Sequence, residues 1–151
     1  ALNYGLFENK ISRCSVRVDD MSEKIGRDVL GQAGLDRKRA PIILSEPQYY
    51  YEIVMNYHGI ERRSFMDELS TLAHEMCHVH EFLHSVSVTD HSPYWADLMR
   101  TIGLTPYALK DSNPCEKGIG MGDRVTHRID DSGAFKRIAR QLIGEYSFGR
   151  Y

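Results

Sequence analysis

The chain has 151 residues, enough for one domain that builds its own core without cross-links. Its 19 Lys and Arg against 21 Asp and Glu leave a net charge of −2, which excludes a protein that grips nucleic acid by bulk charge. At 42% hydrophobic and 26% charged residues the composition is globular, and no apolar run approaches the ~20 residues of a membrane span. The first residues, Ala1-Leu2-Asn3-Tyr4-Gly5-Leu6-Phe7, lack the charged-then-apolar pattern of a secretory signal. Cys14, Cys77 and Cys115 are too few and odd in number for a disulfide framework. The expectation is a cytoplasmic protein, and with no repeat or linker in view residues 1–151 are expected to form a single domain.

In chain order, Cys14–Val18 alternates and ends at Asp19-Asp20, which predicts a strand and a turn. Val29–Leu35 is a weaker strand because of its two glycines, and Pro41–Leu44 is a short apolar run of the buried-strand kind. Tyr49–Tyr57 is aromatic-rich and ambiguous, read here as helical. The clearest element begins at Ser64, where Ser64 and Asp67 have the spacing of a capping box. Phe65, Leu69, Leu72, Met76, Val79 and Leu83 then recur at helical spacing and fall within roughly 40° of one direction. A helix over Phe65–His84 is predicted. A second follows, with Ser92 as N-cap, Pro93 at the first helical position and Gly103 past the end. Its buried side is Trp95, Leu98, Met99 and Ile102. Lys110–Gly122 reads as a loop, Arg124–Ile129 as a strand and Ala134–Ile143 as a final helix.

The first helix contains His74-Glu75-Met76-Cys77-His78, the pattern H-E-x-x-H. Two histidines four apart on a helix lie ~40° from each other and one turn apart, so their rings can converge on one ion. Glu75 sits between them, near enough to reach a water on that metal without binding the metal itself. Chance supplies about 0.02 such motifs in a chain of this composition. A hydrolytic zinc site has three protein ligands and an open fourth position. The third candidates are Glu81, His84 and His91. Glu81 lies a turn beyond the pair, where it suits a supporting role. His84 completes a metzincin-like spacing, but a helix that runs on aims it ~240° away from His78. His91 follows a loop, Ser85–Asp90, whose seven steps from His84 can span ~23 Å. The spacing favours His91.

These residues resemble a known family. Leu72-Ala73-His74-Glu75-Met76-Cys77-His78, then His91-Ser92-Pro93-Tyr94-Trp95 and Met99, are similar to the SprT-like (Spartan-type) metalloprotease domain. Ala33-Gly34, Ile43-Leu44-Ser45-Glu46-Pro47, Gly103-Leu104-Thr105-Pro106, Arg124-Val125-Thr126-His127 and Gly133-Ala134-Phe135 resemble its small bacterial and mobile-element branch. The likeness runs from about Gly5 to Ile143. It implies an α+β, zincin-like fold: a small antiparallel sheet packed on the H-E-x-x-H helix, with further helices. The core would span about 5–104 and a C-terminal extension about 105–151. It also implies His74, His78 and His91 as ligands of one catalytic Zn2+, and Glu75 as the catalytic acid/base. The substrates implied are proteins or peptides, in the eukaryotic members proteins crosslinked to DNA. Two features depart from the family. Three scattered cysteines cannot form the four-Cys zinc ribbon of many members, and the near-neutral charge does not indicate DNA.

The expected activity is that of a zinc-dependent endopeptidase using metal-activated water, on DNA-associated proteins or without a DNA link. The competing reading is a zinc-stabilised binding module. The Pro41–Ser45 strand is a candidate edge for an extended substrate. His58, His80, His84 and His127 are expected to be structural or solvated, Trp95 and Cys77 to pack in the core. Gly118–Gly122 lacks the helix and Lys-Ser/Thr of a phosphate loop and reads as a flexible loop. Arg37-Lys38-Arg39 and Lys136, Arg137 and Arg140 are small basic clusters whose default is a solvated surface.

Overall fold

A computed structural model describes residues 1–21, 29–39, 49–84, 90–113 and 120–147. Its elements in chain order are α1 (Leu2–Phe7), β1 (Cys14–Asp19), β2 (Gly31–Leu35), β3 (Tyr51–Asn56), α2 (Tyr57–Arg62), α3 (Phe65–His84), α4 (Pro93–Ile102), β4 (Leu104–Ala108), β5 (Val125–Ile129) and α5 (Ala134–Ser147). The fold is therefore mixed α and β, with small sheets and five helices among the described residues. None of these helices is long and apolar enough to cross a membrane. Two compact units divide the chain: residues 11–79, and residues 1–10 together with 80–151.

In the unit 11–79 the sheet has the order β1-β3-β2. β2 pairs antiparallel with β3, but β1 lies parallel to β3, with Cys14 opposite Tyr51 and Asp19 opposite Asn56. The sheet is thus mixed rather than antiparallel. β2 lies along one edge of β3, and β1 takes the other in the same direction as β3. Strand patterns in sequence do not reveal which edge a strand will take. Tyr51–Asn56 is a strand, not the expected helix. As the central strand it is buried on both faces, with Ile53, Val54 and Met55 all sealed, so it shows no period-2 alternation. Asn56 ends it and starts α2: its side-chain amide donates to Val29 O at 2.6 Å and its side-chain oxygen accepts from His58 N–H at 3.2 Å. The predicted Pro41–Leu44 strand and the Leu44-Ser45-Glu46-Pro47 turn lie outside the described residues.

α3 begins as the sequence indicates, with Ser64 Oγ accepting from Asp67 N–H at 3.1 Å. Its first turn is locked by Arg63, which donates to Glu68 Oε1 at 2.9 Å, Thr71 Oγ1 at 2.8 Å and Asp67 O at 3.1 Å. Glu68 is buried, and burial raises its carboxyl while Arg63 draws it down.

The second unit contains α1, α4, α5 and the antiparallel pair β4–β5, in which Leu104 lies opposite Ile129. α4 carries the predicted punctuation: Ser92 Oγ accepts from Trp95 N–H, Pro93 opens the helix, and Gly103 closes it at φ 94°. Trp95, Met99, Ile102, Leu104, Phe135 and Ala139 are fully enclosed. The Lys110–Gly122 loop is preceded by β4, which was not foreseen, because Pro106 within Leu104–Ala108 disguises a strand.

Replacing Arg63 by Ala strands the Glu68 carboxylate in a buried position. The expected cost is about 2 kcal/mol, less than for a fully sealed pair because Arg63 keeps some exposure. Urea unfolding of Arg63→Ala beside Arg63→Ala/Glu68→Gln checks this: the second change should recover part of the loss, and an unchanged midpoint in the single variant would contradict it.

Candidate functional site

α3 carries His74, Glu75 and His78 on consecutive turns, with the two imidazole centroids 5.2 Å apart. Wheel geometry sets the two histidines ~140–180° from the apolar stripe and Glu75 at its flank, which suggests a face turned to a cleft. His74 and Glu75 are instead as enclosed as Met76 on the stripe itself. The cover over Glu75 comes from β2. Gly31 lies so close that a β-carbon there would stand 3.2 Å from Glu75 Cγ and 3.3 Å from Thr71 Cγ2. Glycine is what allows strand and helix to approach at this point.

β2 also supplies a hydrogen bond. Leu30 O accepts from Asn56 N–H and Asp36 N–H donates to Tyr50 O, so the even-numbered residues of this stretch pair with β3. Odd-numbered backbone groups consequently face away from β3, and Ala33 N–H donates to the Glu75 carboxylate. Burial pushes the Glu75 carboxyl up to about 8, with the Ala33 amide opposing the rise. The nearer carboxylate oxygen is 4.0 Å from His74 Nε2.

His91 directly precedes the Ser92 N-cap and has φ 50°, in the left-handed region. Its Nδ1 is 2.7 Å from Gly122 O, and its ring meets Trp95 edge-on with centroids 4.6 Å apart. A carbonyl oxygen only accepts, so Nδ1 bears the proton and Nε2 carries the lone pair. Burial lowers the imidazole's pKa, favouring the neutral form that binds metals. Ser92 O–H donates to Glu81, itself only 1% exposed, while Ser92 Oγ accepts from Trp95 N–H. Glu81 thus braces the residue that follows His91.

His74, His78 and His91 each offer one ring nitrogen, and these atoms lie within 4.8 Å of one another. Such a group of three imidazoles can hold one metal ion. The other candidates are engaged elsewhere: Glu81 with Ser92, and His84 Nε2 with Lys10 O at 2.9 Å. His80 is 2.9 Å from Tyr94 Oη and His58 Nε2 is 3.1 Å from Asp20 Oδ1. Cys77 is fully enclosed.

The profile of the SprT-like family matches residues 1–114, three quarters of the chain. The chain belongs to the SprT-like family. It therefore carries a metalloprotease-like domain. No curated protein and no solved structure matches it. Three supports of the SprT-like site escape sequence reasoning: Gly31 and Ala33 beside Glu75, and the Gly122 carbonyl beside His91. Two of them act through backbone atoms, which every residue type possesses. The detectable signals were the glycines in an otherwise plausible β2 and the repeated glycines at Gly120 and Gly122.

The raised Glu75 carboxyl sets a pH dependence in the metal-free protein. The native state keeps this proton up to about pH 8, whereas the ordinary value is 4.5. Between those values the native state binds more protons than the unfolded chain, so this group makes stability fall as pH rises. Glu75→Gln removes the contribution. Urea midpoints measured in chelator from about pH 5 to about pH 8 should therefore fall less for Glu75→Gln than for the wild type; parallel curves would contradict the assignment.

Proposed function

We propose that this protein is a zinc-dependent endopeptidase in which His74, His78 and His91 hold one Zn2+ and Glu75 is the catalytic acid/base. The observation that carries the reading is the gathering of three imidazole nitrogens within 4.8 Å around an H-E-x-x-H helix whose glutamate is buried beside them. The donor set fits zinc: three neutral nitrogen ligands without a thiolate leave a position for water, as in hydrolytic rather than structural sites. When bound, the ion supplies Lewis acidity and lowers the pKa of water towards neutrality.

The chain's own residues do the rest. Glu75 takes the proton of the attacking water and hands it to the departing amine. Burial raises this carboxyl in the metal-free protein, and a dication bound beside it would draw it back down, leaving the carboxylate ionised to accept the proton. The Ala33 amide fixes the carboxylate's orientation, and the Gly122 carbonyl fixes that of His91. The Pro41–Ser45 edge considered for substrate lies outside the described residues. β2 offers another place for an extended peptide, because Ala33 lines a cleft of about 390 Å3 together with Gln32, Leu35, Arg37, Lys38 and Glu52. Peptide laid there would have its main chain read more than its side chains. The net charge of −2 does not by itself indicate DNA as a partner.

Glu75→Gln should keep the metal content of the wild type and lose proteolysis of an unfolded protein substrate by about 10²–10⁴-fold. Chelation should abolish wild-type cleavage, and stoichiometric zinc should restore it. A Glu75→Gln protein that holds zinc and digests at the wild-type rate would overturn the mechanism. Zinc retention without cleavage of any unfolded protein by the wild type would favour a binding module instead.

A further inference from the structure

His91 is held by a stretch of chain that the family profile does not reach. The profile ends at residue 114, and Gly120-Met121-Gly122 lies beyond it. In sequence this stretch reads as a flexible loop, yet two of its backbone groups hold one residue. Met121 N–H donates to His91 O at 3.0 Å, and Gly122 O takes the proton of His91 Nδ1 at 2.7 Å. Both the main chain and the ring of His91 are therefore held from the same three residues.

The glycines are what bring the strap in. Gly120 and Gly122 have φ 95° and 90°, where a side chain is strained. A β-carbon on Gly120 would stand 2.9 Å from Asp90 O and 3.0 Å from His91 O, and one on Gly122 would overlap Ser112 Oγ and Asn113 O. The strap is tied down at its far end. Ser112 O–H donates to Met121 O at 3.0 Å, and the Asp123 carboxylate accepts from Asn113 N–H at 2.7 Å and from the Asn113 side-chain amide at 3.1 Å.

We infer that Gly120–Gly122 is an orienting strap for His91, which fixes the Nδ1–H tautomer and so presents Nε2 as the ligand atom. Its members are positioning residues and touch neither ion nor substrate. The inference rests on the metal centre proposed above. It also assigns a role to residues after the family profile: Gly120–Gly122 complete the support of the third ligand.

The test uses the full chain with 15N-labelled histidine, and its first readout needs no metal. In the metal-free wild type, NMR should find His91 protonated at Nδ1. Gly122→Ala, which pushes the strap off, and Asp123→Ala, which loosens it at an exposed position, should both lose this fixed tautomer. Zinc competition against a chromophoric chelator should then give dissociation constants raised about 10–100-fold for Gly122→Ala, and raised by less for Asp123→Ala. Thermal melts of the metal-free variants show which are folded, and Asp123→Ala decides the matter if Gly122→Ala is not. A wild type protonated at Nε2 would overturn the strap. So would folded variants that keep the wild-type tautomer and zinc affinity while His91→Ala binds weakly. Equal zinc affinity of His91→Ala and wild type, with the Nδ1–H tautomer intact, would bring down the metal-centre reading and the strap's purpose with it.

Discussion

The site depends on a single backbone residue held in an unfavourable conformation. His91 turns the chain through the left-handed region immediately before α4, at φ 50°. For a residue with a β-carbon that conformation costs roughly 1–2 kcal/mol. What offsets the cost is local and countable. Ser92 caps α4 and hydrogen-bonds to the enclosed Glu81, while Met121 and Gly122 take the backbone carbonyl and the ring of His91. Strain of this kind persists only where its surroundings over-determine it. Here four neighbouring contacts do so for one histidine.

Glu75 shows the same economy with different parts. An isolated carboxylate in a closed setting is costly unless something donates to it. The outward-facing edge of β2 does so through Ala33, and Gly31 allows that edge to lie against α3. One amide is not enough to cancel the burial, so the carboxyl remains raised. The result is a group with high proton affinity and restricted orientation.

Much of this was legible in sequence because it is local. The Ser64 cap, the start of α3, the Ser92-Pro93 opening of α4 and the i,i+4 histidines are spacing rules of a single helix, and each is present where the spacing puts it. Misreadings arose where a second element decides the outcome. Tyr51–Asn56 is buried on both faces because it is the central strand, so it shows no strand alternation. The parallel pairing of β1 with β3 depends on which edge was vacant. Burial of Glu75 follows from β2 lying over it, which a helical wheel does not contain. Gly122 offered only a glycine as a signal, since its contribution to His91 is a carbonyl oxygen.

Diffraction from zinc-loaded crystals, collected on either side of the zinc absorption edge, tests the central claim most directly. The account predicts one anomalous peak about 2.0–2.1 Å from one ring nitrogen of each of His74, His78 and His91, with Glu75 outside the coordination sphere and one position left to solvent. A peak that excludes His91, or one closed by a fourth protein side chain, would contradict it.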